Sequence, residues 1–273
     1  MSEPTDPMQS SETPTSSSAG KKAALIGGPL VAVGVGVAVA LGVFRGKQPE
    51  PVPVVAEAPK PVDAGVAPVT PTESLPESDG RVRELASRMS EEAELQRWLQ
   101  EKDLVRRVTA AVNNVAEGAS PRMVLGFLAP TGGFQVVEGK GKDKKMTVDP
   151  RSHARYDLIA RVFGTFDAQV ARSLFRDLKP LIDQAHREIA PPGQAFDSTL
   201  NRAIEHLLSV PVPEGALEVQ PQGGLYVYAS PELEGLSKAQ KHLLRMGPQN
   251  IRVIQAKLKE LQTALDLPPV AER

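Results

Sequence analysis

The chain of 273 residues contains no cysteine, one tryptophan, three tyrosines and four histidines. Without cysteine there is no disulfide framework, no thiolate metal site and no cysteine nucleophile, and the compartment stays open. So few aromatic rings leave little for a glycan platform, which stacks sugars on exposed rings. No charge of one sign dominates: the chain sums to −1, with 27 basic against 24 acidic residues from position 80 onward and 5 against 9 before it. That balance implies no basic face of the kind nucleic acid requires. Catalytic signatures are missing too. There is no H-E-x-x-H helix and no G-x-S-x-G elbow, and the Ser18 to Lys21 match to S-x-x-K falls in a Ser/Thr/Pro-rich tail. His153, His186, His206 and His242 stand on separate segments without metal-ligand spacing, so no metal or cofactor is expected.

What the chain does have is one long apolar run. Residues 23–44, AALIGGPLVAVGVGVAVALGVF, carry no charge and are bracketed by Lys21, Lys22, Arg45 and Lys47. At 1.5 Å per residue they reach ~33 Å, enough for a hydrocarbon core of roughly 30 Å, and no small-x-small site follows, so the reading is an uncleaved transmembrane helix. Gly28, Ala32, Gly36 and Ala40 recur every four residues, a spacing that lets two such helices pack closely as a homodimer.

Composition divides the rest. Residues 1–22 form a disordered tail rich in Ser, Thr and Pro. Residues 45–76 form a Pro-rich linker, with eight prolines between Gln48 and Pro76 and a reach on the order of 90 Å if extended as polyproline II. Residues 77–268 have the apolar periodicity of one soluble domain, and 269–273 form a C-terminal tail. A spacer of this kind suits a domain held away from a membrane, so the chain reads as single-pass, with its N-terminus inside and the domain displayed outside.

Within the domain the period is mostly helical. Leu104, Val108, Ala111 and Val115 with Val105 and Val112 predict a helix over 102–117 that stops at Gly118. Asp149-Pro150 opens a helix reaching Gly164, and Asp167 to Ala190 carries another, with Pro180 expected to kink or end it. Ser198 is read as the cap of the next helix. Leu236 to Leu265 predicts a helical hairpin turning at Gly247-Pro248, whose last helix docks Ile251, Ile254, Leu258, Leu261 and Leu265 on the core. Phe134 to Glu138 with Lys145 to Val148, and Leu217 to Val219 with Leu225 to Tyr228, read as two short β hairpins. The fold class expected is mainly α, a multi-helix globular domain with two short β hairpins.

Candidate binding residues are polar groups on helix faces: Arg106, Arg107, Asn113 and Asn114 on the 102–117 helix, and Lys241 and Arg245 on the basic C-terminal hairpin. Gly139 to Lys144 lacks the spacing of a phosphate loop and reads as a polar hairpin tip. The N-terminal span, the Pro-rich linker, Leu75-Pro76-Glu77-Ser78-Asp79, LVRRVTAAVNNVAEG at 104–118, Tyr156-Asp157 and LSKAQKHLLRMGPQN at 236–250 together resemble an uncharacterised bacterial family, number three thousand and fourteen in the domain-of-unknown-function series. That resemblance implies a single-pass protein of a bacterial inner membrane with the domain periplasmic, and it assigns no activity. The chain has Asn113-Asn114 where the family more often has an Asp-Asn pair, which weakens any catalytic part for a carboxylate there. The functional expectation is a membrane-anchored, non-enzymatic interaction or scaffolding module of the cell envelope with a protein partner. The alternatives are an envelope enzyme or glycan-binding protein using a carboxylate pair that only geometry reveals, and a cytoplasm-facing tethered adaptor.

Overall fold

The computed structural model describes residues 74–139 and 144–267. The expected tail, the 23–44 span with its small-residue ridge, the linker up to residue 73 and the hairpin tip at 140–143 lie outside the described residues. Among those described, no helix is long and apolar enough to cross a membrane.

The order of helices is α1 (Asp79–Ala86), α2 (Ala93–Trp98), α3 (Leu104–Ala116), α4 (Pro150–Ala154), α5 (Asp157–Gly164), α6 (Ala168–Arg187), α7 (Phe196–Leu208), α8 (Pro231–Glu234), α9 (Lys238–Arg245) and α10 (Gly247–Ala264). Strands β1 (Val136–Glu138) and β2 (Met146–Val148) precede α4, and β3 (Glu218–Gln222) and β4 (Leu225–Tyr228) precede α8. The core lies where α3, α6, α7 and α10 pack on one another, with α5 against α10. Leu75, which composition assigned to the linker, is buried in it.

Helix α3 forms because its apolar residues repeat at helical spacing, and Leu104, Val105, Val108, Ala111, Val112 and Val115 are all buried. Its N-terminus is satisfied from a distance: the amides of Asp103 and Leu104 donate to the Asp79 carboxylate at 3.0 and 2.9 Å. Gly118, at φ +69°, ends it in the left-handed conformation that glycine takes without strain.

Three expected helices differ in detail. The one opening at Asp149-Pro150 breaks at Tyr156 into α4 and α5. Helix α6 runs without interruption through Pro180. Pro180 is exposed, so the carbonyl it leaves without an amide partner faces water, while Leu178, Leu181 and Ile182 stay buried on the other side. Helix α7 begins at Phe196 without a side-chain cap rather than at Ser198. On α10 the stripe Ile251, Ile254, Leu258 and Leu261 is buried.

The two hairpins are parts of one sheet. Strands β2 and β3 pair antiparallel, Met146 with Val219 and Thr147 with Glu218, giving a four-stranded antiparallel sheet in the order β1-β2-β3-β4. The register puts Val136, Val148, Met146, Val219, Tyr226 and Tyr228 on one face. Val148, Val219 and Tyr228 are buried, so that face turns toward the helices.

Candidate functional site

The polar residues singled out by sequence are engaged within the domain or set apart from one another. Arg106 makes two parallel bonds with Glu188, Nε to Oε2 at 2.7 Å and Nη2 to Oε1 at 2.9 Å, and they hold the Glu188 carboxyl below its ordinary value. Arg107 donates to the carbonyls of Lys102 and Val124. Asn113 and Asn114 are half-buried near the end of α3, where their carbonyls accept from the amides of Glu117 and Ala119. Lys241 is spent on Glu234, Nζ to Oε1 at 2.5 Å and to the main-chain oxygen at 2.8 Å. Arg245 is half-buried, close enough to the hydroxyls of Tyr156 and Tyr228 that its charge opposes the upward push burial gives them. Arg106 and Arg107 sit at the first turn of α3, whereas Lys241 and Arg245 are on α9, which docks at the other end of α3 through the bond from the Ala239 amide to the Gly118 carbonyl.

Three of the four histidines belong to that joint. His206 Nε2 lies 2.7 Å from Ser237 Oγ, and His242 Nε2 lies 2.8 Å from Ser120 Oγ. The His153 ring covers Gly247, where α9 turns into α10. Burial lowers the pKa of all three and drives His242 down to about 3, so these rings are neutral at neutral pH. A serine beside a histidine is the start of a nucleophile and base pair, but both hydroxyls already work in the backbone. Ser237 Oγ accepts from the Gln240 amide in a capping box, Ser120 Oγ accepts from the Arg122 amide, and no carboxylate orients either ring among the described residues. Asn250 completes the joint by donating to the carbonyls of His153 and Met246 and to Asp157. The 236–250 motif is thus a structural joint in which Ser237, Gln240, Lys241, His242 and Asn250 each hold a neighbouring segment. No group of three metal-ligating side chains occurs among the described residues.

An open groove of about 800 Å³ runs along Ser87 to Ala93, Gln96, Thr165 and Asp167. Several of its polar groups are occupied by local structure: Asp167 caps α6, Glu92 pairs with Arg161 at 3.0 Å, and Ser90 Oγ bonds Thr165 Oγ1 at 2.7 Å.

The sheet is different. Of the seven large apolar side chains exposed among the described residues, three, Val137, Leu225 and Tyr226, lie on it. The Tyr226 ring packs against Phe134 with centroids 5.9 Å apart on the face that carries Tyr228, while Val137 and Leu225 are exposed on the opposite face, on the two outer strands. Sequence reasoning placed these residues in strands without marking them as a surface. The alternation was legible, but whether Tyr226 faces core or water depends on how far the sheet extends past the helices.

A family model described as a protein of unknown function, DUF3014, matches residues 104–262, from the first residue of α3 to the last turn of α10. No curated protein and no solved structure matches the chain.

Proposed function

The chain belongs to the DUF3014 family, described as of unknown function, and from that premise we propose that it is a non-enzymatic interaction module. In this reading the 23–44 span anchors it once in a bacterial inner membrane, the Pro-rich linker carries the domain away into the periplasm, and the domain binds a protein partner through the end of its sheet. The observation that carries the reading is the exposed Tyr226 ring packed against Phe134, on a domain whose candidate polar residues are largely engaged internally. A surface of this kind offers a partner apolar area.

The experiment is site-specific photo-crosslinking in intact cells. A photoreactive side chain at Tyr226 should give a discrete adduct with another protein, while the same group at the exposed Arg252 on α10 should not. Equal, diffuse labelling from both positions would overturn the reading. Location is tested in parallel on the cysteine-free chain: Asp63→Cys should react in intact cells with a thiol reagent that cannot cross the inner membrane. Protection until the membrane is broken would make the cytoplasm-facing adaptor the better account.

A further inference from the structure

The two outer edges of the sheet are guarded in different ways. Strand β1 is three residues long and carries its own charge, Glu138. Strand β4 is Leu-Tyr-Val-Tyr, uncharged and made of residues that favour strands. An uncharged edge of this composition is what another strand pairs with, and folded proteins protect such edges with charge or by covering them.

The hydrogen bonds show where the protection of β4 comes from. The Ala229 amide donates across the sheet to the Glu218 carbonyl, so by alternation Tyr226 and Tyr228 turn their backbone groups outward. The Tyr228 amide does not meet water. It donates to Glu234 Oε2 at 2.9 Å, and the other carboxylate oxygen is gripped by Lys241 Nζ. Burial works to raise the pKa of Glu234 and is outweighed by the bonds from Lys241 and the Tyr228 amide, so the carboxylate stays charged. Lys241 is held in turn because α9 is pinned by Ser237 to His206 and by His242 to Ser120.

We propose that Glu234 is a stopper on the β4 edge, a charged side chain seated on the amide that an added strand would use, and that removing it lets β4 pair antiparallel with β4 of a second copy. The second copy follows from the strand itself. In an antiparallel arrangement centred on Val227, each Tyr226 meets the other Tyr228 and no like charges face one another, whereas two β1 edges in the equivalent arrangement would bring the two Glu138 carboxylates near each other. This goes beyond the docking reading and does not require it, because it concerns which edge is closed.

The absence of cysteine makes the test direct. In the proposed pairing Val227 lies opposite its own counterpart in a non-hydrogen-bonded pair, with Cα atoms about 4.5 Å apart and within disulfide reach. Full-length protein in membranes is mildly oxidised with diamide and read by mass on a non-reducing gel. V227C alone should remain at the mass of one chain, V227C with Glu234→Ala should shift to twice that mass, and V137C with Glu234→Ala should not. Should Glu234→Ala fail to fold, V227C with Lys241→Met loosens the stopper and should also shift, while V227C with Glu234→Gln, which keeps an acceptor for the Tyr228 amide, should shift less than the alanine variant. Equal doubling with and without Glu234 overturns the proposal, as does the absence of doubling in folded variants that lack the stopper. An adduct of another mass without doubling overturns it too, while leaving the docking reading standing.

Discussion

Gly247 lies directly beneath the imidazole of His153, so close that a Cβ built on the glycine would sit 2.5 Å from the ring's Cγ. Its φ of +81° is in the left-handed region, where any other residue is strained. The turn between α9 and α10 therefore needs glycine twice over, once for the backbone and once for the ring. Gly247→Ala is expected to destabilise the protein by about 2–4 kcal/mol, combining backbone strain of ~1–2 kcal/mol with the cost of moving a packed ring. Urea denaturation followed by circular dichroism measures it; an unchanged midpoint would show that the ring moves aside freely.

Helix α10 separates burial from exposure on one element. Leu258 is fully buried and Val253 is 37% exposed. Leu258→Ala should cost about 2–5 kcal/mol through lost transfer energy and the cavity left behind. Val253→Ala should cost less than about 1 kcal/mol. Equal losses would mean that the α10 stripe is not the face docked on the core.

The Arg106 and Glu188 pair tests whether a well-made surface ion pair holds α3 to α6. Both side chains are roughly two-fifths exposed, so solvent screens them. Arg106→Ala should cost about 0.5–1 kcal/mol at low salt, with the difference from wild type shrinking as salt rises. A loss of several kcal/mol would point to a structural load that the exposed geometry does not suggest.

Stability should fall on mild acidification. The folded-state pKa values of His153, His186, His206 and His242 are all lowered by burial. Between those values and the unfolded value of about 6.5, the unfolded chain binds more protons than the folded one. The stability contributed by neutral rings is therefore fully present well above pH 6.5 and is lost progressively as pH falls through 6.5 toward the folded-state values. Glu188, lowered by Arg106, adds a further loss only below its ordinary range near 4.5. Denaturation midpoints at pH 7.5, 6.5 and 5.5 should fall at each step, with the larger drop between 6.5 and 5.5, and His206→Asn should reduce the drop. A flat profile from 7.5 to 5.5 would show that the rings are hydrated in solution.

Ser237 serves as helix cap and as partner of His206. Ser237→Ala should cost about 1–2 kcal/mol, since it removes the cap and leaves the ring nitrogen unpaired. Ser237→Asp, which keeps an acceptor for the helix amides, should recover part of that loss and raise the His206 pKa, a change that titration by NMR would detect. Equal losses in both variants would remove the cap from the account.

The sequence by itself determined the local elements and their signs. The 3.6-residue spacing in α3 and α10, glycine at 118 and 247, Asp149 before Pro150 and Asp167 before α6 are short-range signals, because each acts through neighbours a few residues away. Only the tertiary structure decided what those elements became together. It joined two hairpins into one sheet through Met146 and Val219, kept α6 whole by turning Pro180 to solvent, capped α3 with Asp79 from another helix, and committed Arg106, Arg107 and Lys241 to partners inside the domain. Arg106 and Glu188 are 82 positions apart, as are Asp79 and Leu104 by 25. Period and composition report which face of an element is apolar; which distant charge or strand edge meets it is fixed by packing, and that is where the exposed end of the sheet and its Glu234 stopper arise.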